Sequence, residues 1–401
     1  MDIRKLKREE HILSRTNCQT VFLDMPRDDA RTKMKNPLAH AAKDDIERWG
    51  AFDGNGRLLS SMEIVPYTMQ MNGQDVKLGG IAGVATLPEA RSGGLVRKIF
   101  EKAFADMIEN GQTFSYLFPF SYDYYRNFGY EICMTNDTAA ILVSEMAKYP
   151  YPKNIRPYEP GDDIEPFAKI YNQFIQNRNL AIVRNKPAWK KILGRDPYKR
   201  YEYTYLNRDS DGNADAYILY NAVNHKDTSK NRIDIKELCW STVDGLHNIF
   251  GFLGKLSAEF GFVDWKVPGN VDVFSLFSDC YSIAWTKQSA GMNRILDVTA
   301  GLLTLRSPMG NGKITFDIID TFWKGNTGVY TVQWEDGNLT VHKSLDTTAD
   351  VSTNVETLTQ LVTGYLTPEE AMYKKGTSIF SGHTQLDQLF PKQKLYMMET
   401  F

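Results

Sequence analysis

Hydrophobic residues change their spacing near residue 90, from a short β-branched run to a helical repeat. Residues 76–86 are rich in β-branched positions and contain glycine, which is typical of a short strand. Further along, apolar side chains recur three and four positions apart, at Leu95, Val96, Ile99, Phe100, Ala103, Phe104, Met107 and Ile108. This spacing predicts a helix with one buried stripe, closed by a left-handed cap at Gly111.

A turn rich in arginine, serine and glycine joins this strand to this helix. Arg91, Ser92, Gly93 and Gly94 stand directly before the first apolar position of the helix. Such a turn leaves several backbone N–H groups at the positive end of the helix dipole, an arrangement that binds a pyrophosphate. Taken alone, an Arg-x-x-Gly sequence at a helix start is more often an ordinary turn than a binding site, so both interpretations stay open.

The remaining elements of the first third follow from the same patterns. The charged residues 2–43 favour helix. Residues 48–52 and 58–70 predict two strands joined by the turn at residues 53–56, Asp-Gly-Asn-Gly. Residues 113–118 predict a buried strand after the helix.

A second stretch repeats this order. Helices are predicted over residues 162–177, 186–193 and 246–260, and strands over 201–206, 214–222, 232–240, 262–267 and 271–277. Before the last of these helices stands Ser241-Thr242-Val243-Asp244, which is not an Arg-x-x-Gly turn. We interpret the stretch as a degenerate copy of the first domain without a phosphate turn; an unrelated α+β domain fits the pattern equally well.

The pattern changes again near residue 292. Strands are predicted over residues 302–305, 312–319, 328–334 and 339–343, and helices over 358–366 and 368–374. Two prolines at residues 150 and 152 mark an earlier boundary. The chain therefore divides into residues 1–147, 148–290 and 291–401, and the predicted fold class is α+β.

Composition removes several classes of function. The net charge of −2 gives no basic surface for nucleic acid. No apolar run approaches the roughly 18 residues of a membrane span, and the N-terminus lacks the apolar stretch of a signal peptide, so we expect a cytoplasmic protein without a membrane partner. The four cysteines and six histidines are scattered without ligand spacing, so no metal site is predicted.

Two segments together carry a resemblance to a known family. Residues 84–95 read Val-Ala-Thr-Leu-Pro-Glu-Ala-Arg-Ser-Gly-Gly-Leu, and residues 119–131 read Pro-Phe-Ser-Tyr-Asp-Tyr-Tyr-Arg-Asn-Phe-Gly-Tyr-Glu. A strand, an Arg-x-x-Gly turn, a helix, a strand and a Tyr-x-x-Phe-Gly-Tyr segment in this order resemble the GNAT superfamily of N-acetyltransferases. More narrowly, the chain resembles the Eis (enhanced intracellular survival) acetyltransferases, in the variant of Gram-positive bacteria that has Pro-Phe before the tyrosines.

The resemblance implies a fold and a donor. The fold would be two tandem GNAT domains, the second degenerate, followed by a sterol-carrier-protein-like domain, assembled as a hexamer. The donor would be acetyl-CoA. Acetyl-CoA would be bound in three places. Its pantetheine arm would pair with backbone groups of Val84, Ala85 and Thr86, and two residues, Phe120 and Ser121, would flank the thioester. Its pyrophosphate would accept from backbone N–H groups and lie near an arginine in the stretch Arg91, Ser92, Gly93, Gly94, Leu95, Val96 and Arg97. The family often has a small polar residue where Phe120 stands, which leaves that contact open.

The resemblance also implies two catalytic groups. Tyr125 would be the general acid, because a phenol with a pKa near 10 is protonated at pH 7 and can protonate a departing thiolate. The terminal carboxylate of Phe401 would accept the proton of the attacking amine. Each has a plainer explanation from the residues alone: a tyrosine among aromatic residues usually packs, and Phe401 could simply pack on its own domain.

The acceptor implied by the resemblance is an aminoglycoside, acetylated at one or several amines. Asp24 and Glu399 are the candidate acids for a cationic acceptor, with Asp28 and Asp29 beside the first. Acidic side chains of this kind are more often solvated surface charges. A protein lysine or a polyamine as the acceptor, and a non-catalytic lipid or small-molecule binder, remain the alternatives.

Overall fold

The computed structural model describes residues 1–22, 45–343 and 348–400, and these form three sheets with helices packed on them. In the described part of the chain, no helix is long and apolar enough to cross a membrane. The strands are β1 Asp2–Lys5, β2 Glu47–Phe52, β3 Leu58–Met71, β4 Gln74–Thr86, β5 Phe114–Leu117, β6 Glu131–Ile132, β7 Thr135–Leu142, β8 Ile155–Pro157, β9 Glu202–Arg208, β10 Ala214–Val223, β11 Arg232–Trp240, β12 Phe262–Val267, β13 Ala284–Ser289, β14 Met292–Ile295, β15 Gly312–Ile319, β16 Gly328–Glu335, β17 Asn338–Lys343, β18 Val351–Asn354 and β19 Ser378–Ile379. The helices are α1 His11–Val21, α2 Leu95–Glu109, α3 Tyr122–Arg126, α4 Val143–Met146, α5 Glu165–Ile175, α6 Lys186–Leu193, α7 Pro197–Arg200, α8 Val243–Gly254, α9 Val298–Leu302, α10 Val355–Thr363, α11 Pro368–Ala371 and α12 His383–Leu389.

The first sheet carries the strand and helix that the periodicity predicts. Its order is β1-β2-β3-β4-β5-β14-β6, with β4 and β5 parallel and the other neighbours antiparallel. The apolar stripe of α2 packs on this sheet, where Ile99, Phe100 and Phe104 meet Ile64 and Leu117. The charged N-terminal segment is not helical throughout, because Asp2–Lys5 pairs with β2 as a strand.

The second sheet has the order β13-β7-β12-β11-β10-β9-β8, and α8 packs on it. The prediction of a strand over residues 271–277 was wrong. A short 3-10 helix, Val273–Ser275, lies there, because the side chain of Asp272 accepts a hydrogen bond from the backbone N–H of Phe274 at 3.1 Å and starts a turn.

The third sheet, in the order β17-β16-β15-β18-β19, shares one continuous core with the first. Phe316 and Trp334 of the third sheet belong to the same buried cluster as Leu78 and Tyr116 of the first. Residues 302–305 do not form the predicted strand. Asp297 caps α9 by accepting from the N–H of Ala300 at 2.8 Å, so a short helix ends at Leu302, and residues 303–305 follow it as a turn.

Two strands lie in a sheet that their sequence range did not suggest. The strand β7, from the first range, pairs with β12 and β13 of the second sheet. The strand β14, from residues 292–295, lies between β5 and β6 of the first sheet. The sheets are therefore completed by pieces of chain that are distant in sequence, and the same exchange brings the C-terminal third against the first sheet.

Candidate active site

The candidate site begins where the two parallel strands of the first sheet part. Pairing between β4 and β5 runs from Leu78 with Phe114 to Ile81 with Leu117, and β4 then continues to Thr86 paired with β3 only. Beyond Ile81, the side of β4 that faced β5 has no strand partner among the described residues. An unpaired strand edge offers backbone N–H and C=O groups to an extended ligand.

A β-bulge changes the direction of the part of β4 that lies beyond β5. The register with β3 shifts between Ser61, which pairs with Ala85, and Glu63, which pairs with Ala82. Gly83, inside the shift, has φ +55°, a left-handed backbone that favours glycine. A side chain there would also crowd Glu63 and Cys18, since a Cβ would lie 3.2 Å and 3.3 Å from their atoms. Sequence analysis did not single out Gly83 as a residue that shapes the candidate site, although a glycine inside a strand pattern was its signal.

The turn after β4 has the geometry of an anion cradle. Ser92 and Gly94 adopt φ of +62° and +67°, and α2 starts at Leu95 with Gly94 as its N-cap. No acceptor among the described residues takes a hydrogen bond from the backbone N–H groups of Ser92, Gly93, Leu95, Val96 or Arg97. A Cβ on Gly94 would meet nothing within 4 Å, so that side of the turn is open. Free N–H groups at the positive end of a helix dipole suit a phosphate.

The two arginines of the turn have different roles. Arg91 is exposed, and its Nε lies 3.5 Å from the carbonyl oxygen of Thr86. Arg97 reaches to the next element: its Nη2 donates to the carbonyl of Asn127 at 3.4 Å, and its guanidinium lies 5.7 Å from the ring centroid of Phe128. Arg97 therefore links the start of α2 to the loop that follows α3, while Arg91 stays at the mouth of the turn.

The short helix α3 presents Tyr125 beside this cradle. Ser121 is its N-cap, and its hydroxyl accepts from the N–H of Tyr124 at 3.3 Å. Tyr125 is 4% exposed, with the rings of Tyr124 and the largely exposed Phe120 at 5.2 Å and 5.5 Å. No hydrogen bond joins its hydroxyl to another described residue. Tyr125 and Leu95 are buried in one hydrophobic cluster, and Val84 packs against it.

Burial sets the protonation of Tyr125. Loss of solvent raises the pKa of its phenol well above the usual value, and the neighbouring Tyr124 adds to the shift. The phenol is therefore neutral at pH 7, with a proton to donate and a hydroxyl free to turn toward a ligand.

A separate cavity of about 870 Å³ lies at the other end of the β3–β4 hairpin, against the second sheet and the C-terminal segment. Glu399 lines it together with Tyr67, Asp75, Arg184 and Glu237. None of Val84 to Thr86, the turn, Phe120, Ser121 or Tyr125 is among its described lining residues. The structure thus brings the predicted donor residues and Tyr125 together, and it places Glu399 elsewhere. Asp24 and Phe401 lie outside the described residues, as do Asp28 and Asp29.

Glu399 takes part in a buried charge cluster. The Nε of Arg184 donates to Glu399 Oε1 at 2.6 Å, and its Nη1 donates to Glu237 Oε1 at 2.8 Å. The hydroxyl of Tyr217 donates to the same Glu237 oxygen at 2.6 Å. Burial raises the pKa of Glu399, although Arg184 opposes the shift. The second oxygen, Oε2, is buried and has no partner among the described residues. Sequence reasoning found Glu399 but missed Arg184 and Glu237, which carry no local signal.

The second domain lacks the phosphate turn in structure as well as in sequence. The N-cap of α8 is Thr242, whose hydroxyl accepts from the N–H of Gly245 at 2.9 Å, and Asp244 places a negative charge in the first turn. A side chain thus takes one free N–H, and a carboxylate opposes an anion.

His, Cys, Asp and Glu side chains are the usual ligands of a metal site, and the described cysteines differ in burial. No group of three or more His, Cys, Asp or Glu side chains in residues 1–22, 45–343 and 348–400 could hold a metal ion. Cys18, Cys133 and Cys239 are buried, and burial raises the pKa of the Cys18 and Cys133 thiols to about 12. Cys280 is exposed.

Comparison with known proteins agrees with this geometry. Residues 2–133 and residues 180–295 each match an acetyltransferase (GNAT) domain family, and residues 300–398 match the sterol carrier protein domain. No curated protein sequence matches the chain. The GNAT domains make the chain an acyltransferase, and they imply acetyl-CoA as its acetyl donor.

Solved structures share the whole fold at low identity. A probable N-acyltransferase of unknown function from Enterococcus faecalis is 21% identical with a TM-score of 0.83. The alignment covers 98% of this chain and 97% of the Enterococcus chain. A GCN5-related N-acetyltransferase from Anabaena variabilis is 19% identical with a TM-score of 0.83, and Eis1 from Mycobacterium abscessus is 19% identical with a TM-score of 0.79. Each of these two alignments covers 100% of this chain and 100% of the other chain. The chain is thus two GNAT domains followed by a sterol-carrier-protein-like domain.

Proposed function

We propose that this two-GNAT-domain acyltransferase moves an acetyl group from acetyl-CoA to a primary amine of a small cationic molecule of the aminoglycoside class. One observation carries the proposal: the free edge of β4, the open N–H turn and the buried phenol of Tyr125 converge at one end of the first sheet. The Eis-like sequence pattern around Arg91 and Tyr125 supports the choice of acceptor. The same resemblance supports a hexamer, and the four cysteines without ligand or disulfide spacing support a reducing, cytoplasmic location.

The donor fits the residues of this end. The N–H groups of Ser92 to Arg97 would hold the pyrophosphate, and Arg91 would add positive charge at the mouth. Backbone groups of Val84, Ala85 and Thr86 would pair with the pantetheine amides as an added strand. A backbone N–H on this edge would polarise the thioester carbonyl, which lowers the barrier to attack.

The chemical step needs two proton transfers. The neutral amine attacks the carbonyl carbon, a C–N bond forms and the C–S bond breaks. Tyr125 gives its phenolic proton to the departing sulfur, and its raised pKa means that the phenol carries this proton at pH 7. The proposed base for the ammonium proton is the terminal carboxylate of Phe401, reached directly or through water.

Asp24 and Glu399 are the candidate acids for recognition of the acceptor. Because the cavity that Glu399 lines is separate from the donor residues and Tyr125, Glu399 would contact a part of the acceptor that is distant from the reacting amine. Glu399 lines the 870 Å³ cavity, and its Oε2 has no partner among the described residues, so it offers an acceptor for an ammonium group. The cavity wall is of mixed charge, because Lys77, Lys191 and Lys236 also line it. A cationic ligand would therefore be read by a few placed carboxylates rather than by a uniformly acidic wall.

The test is release of free coenzyme A thiol from acetyl-CoA over a panel of amines. Aminoglycosides should give acceptor-dependent release, and peptides with a single lysine and simple polyamines should give much less. Equal or greater release with lysine peptides or polyamines would move the acceptor to those classes. No release with any amine, together with lipid co-purifying with the protein, would support the non-catalytic alternative.

A further inference from the structure

We propose that Arg294 is a positioning residue for Tyr125, through which the sterol-carrier-protein-like domain holds the catalytic helix α3 in place. This inference rests on the proposed role of Tyr125 in acetyl transfer. It also assigns the C-terminal domain a mechanical function within the first active site, independent of any lipid.

Arg294 is wholly buried at the junction of the first and third sheets. It lies on β14, and its side chain is 0% exposed. Its Nη1 donates to the carbonyl oxygen of Phe128, and its Nη2 forms an ion pair with Asp320. Phe128 follows α3 by two residues, so the guanidinium joins the loop after Tyr125 to the C-terminal domain.

Gly129 shows how closely the loop fits this arginine. Its φ is +76°, in the left-handed region that favours glycine. A Cβ at this position would overlap the guanidinium of Arg294 and lie 3.3 Å from a methyl carbon of Val355. In the Tyr-x-x-Phe-Gly-Tyr segment, Phe128 therefore supplies the carbonyl that accepts from Arg294, and Gly129 leaves the space that the guanidinium fills.

Asp320 is itself fixed and cannot follow a moving loop. Its Oδ1 accepts from the N–H groups of Phe322 and Trp323 at 3.0 Å and 2.8 Å. Its Oδ2 accepts from Asn326 Nδ2 at 3.0 Å, in addition to Arg294. The carboxylate thus gives Arg294 one defined position.

Two more contacts hold the same segment from the C-terminal domain. Arg126, the last residue of α3, pairs with Glu131 at 3.0 Å, and Lys374 pairs with the other oxygen of Glu131 at 3.1 Å. The side chain of Gln360 donates to the carbonyl of Ile132 at 2.7 Å. Residues 126–132 are therefore held at three points by a domain that begins far along the chain.

Ring contacts extend this arrangement to the donor turn. Phe322, two residues after Asp320, lies 5.3 Å from the ring of Phe128 and 5.3 Å from that of Phe104 on α2. The guanidinium of Arg97 lies 5.1 Å from the ring of Phe322. The loop at residues 320–327 thus contacts both the donor helix and the segment that carries Tyr125, which fixes their relative position.

Burial of an ion pair is a weak source of stability, because desolvation offsets the attraction between the charges. A buried arginine that donates to one backbone carbonyl is better explained by the position in which it holds that backbone segment. A displacement of about 1 Å of a catalytic group can cost roughly 100-fold in rate. Removal of Arg294 should therefore affect turnover much more than donor binding.

The experiment compares Arg294→Met with a matched control, Arg306→Met, in the full chain. Arg306 also joins the C-terminal third to a first-domain carbonyl, that of Asn72 at 2.9 Å, but at the β3–β4 turn away from α3. We expect Arg294→Met to lower kcat by about 10- to 100-fold with KM for acetyl-CoA changed less than about threefold. Arg306→Met should stay within about twofold of wild type.

A double-mutant cycle separates positioning from general damage. If Arg294 acts through Tyr125, then Arg294→Met should slow the Tyr125→Phe enzyme by less than about twofold. The isosteric Asp320→Asn, which keeps the core volume, should give an intermediate loss and serves if Arg294→Met does not fold. The proposal would be overturned if Arg294→Met and Asp320→Asn slowed the Tyr125→Phe enzyme as much as they slow wild type. It would also be overturned if neither change lowered the kcat of the wild-type enzyme.

Hydrogen exchange gives a measure that does not depend on activity. Backbone amides of residues 122–130 should exchange faster in Arg294→Met than in wild type, and unchanged exchange there would contradict the positioning role. Arg306→Met should leave this segment unaffected. If wild type releases no thiol with any amine, the proposed function fails, while exchange still decides whether Arg294 holds this segment.

Discussion

At the scale of single residues, the proton on Tyr125 is controlled by the absence of water around its ring. Tyr124 and Phe120 cover the phenol, and the raised pKa keeps it neutral across the physiological range. In the proposed mechanism, the aromatic neighbours therefore do more than pack, because they keep the phenol protonated.

Tyr125→Phe removes that proton and keeps the ring. We expect kcat to fall by about 10²–10⁴-fold with acetyl-CoA affinity unchanged, measured by thiol release and calorimetry. Tyr124→Phe is the control, since it keeps the ring contact and removes a different hydroxyl; it should remain within about threefold of wild type. Wild-type turnover by Tyr125→Phe would exclude this tyrosine as the acid.

The pH profile should carry the same signature. An acid works while it is protonated, so its contribution is present below its pKa and is lost as pH rises through that value. Because burial raises the pKa of Tyr125 above its ordinary value near 10, its alkaline limb should lie above about pH 10.

At the scale of elements, the turn before α2 combines two properties that can be separated by mutation. Gly94 has a left-handed backbone, and its open side faces the region where phosphate would lie. Its conformation and its lack of charge are both required for an anion to approach.

Gly94→Glu and Gly94→Asn distinguish these properties. Asparagine tolerates the left-handed conformation and carries no charge, so Gly94→Asn should bind acetyl-CoA close to wild type. Glutamate would place a carboxylate beside the phosphates, and Gly94→Glu should bind at least about tenfold more weakly by calorimetry. Equal affinities for both variants would locate the phosphate site elsewhere.

The elements that the sequence predicted well are those whose signal is local. The helix Lys186–Leu193 and the strands Arg232–Trp240 and Gly312–Ile319 lie where the periodicity predicts them. The failures at residues 271–277 and 302–305 are alike, because in each case an aspartate caps a short helix, Val273–Ser275 or Val298–Leu302, that lies within the apolar run or ends at its start. The strands β7, β13 and β14 were missed because their pairing partners are distant in the chain.

The candidate site divides in the same way. The turn at Arg91 to Arg97 is one contiguous stretch, so its residues could be named from the sequence. The contact from Arg294 to Phe128 joins positions 166 residues apart, and no local pattern marks it. The sequence showed Gly129 as part of a motif. It did not show why a glycine is needed there, which is the guanidinium of Arg294 packed against it.

At the scale of the whole molecule, Glu399 ties the C-terminal segment to the second domain through Arg184. Burial raises the pKa of Glu399, so folding favours its protonated form. The stability that comes from this proton is fully present below the ordinary carboxyl pKa and is lost as pH rises through the higher folded-state value. Wild-type stability should therefore contain a term that falls with rising pH.

Glu399→Gln removes that term, because its amide is neutral at every pH. We expect the difference in Tm, variant minus wild type, to become more positive between about pH 4 and pH 8. Glu10→Gln is a control of opposite sign, since Arg4 lowers the pKa of Glu10 and its ionised form favours folding. A pH-independent difference for Glu399→Gln would contradict a raised pKa in the folded state.

The position of β14 has a consequence for the order in which this protein can be made. A ribosome releases the chain from its N-terminus, yet the first sheet takes its strand between β5 and β6 from residues 292–295. Until those residues emerge, β5 and β6 each lack that neighbour, and unpaired strands are sites of mispairing. The donor half of the enzyme is therefore completed only after the whole second domain has been synthesised.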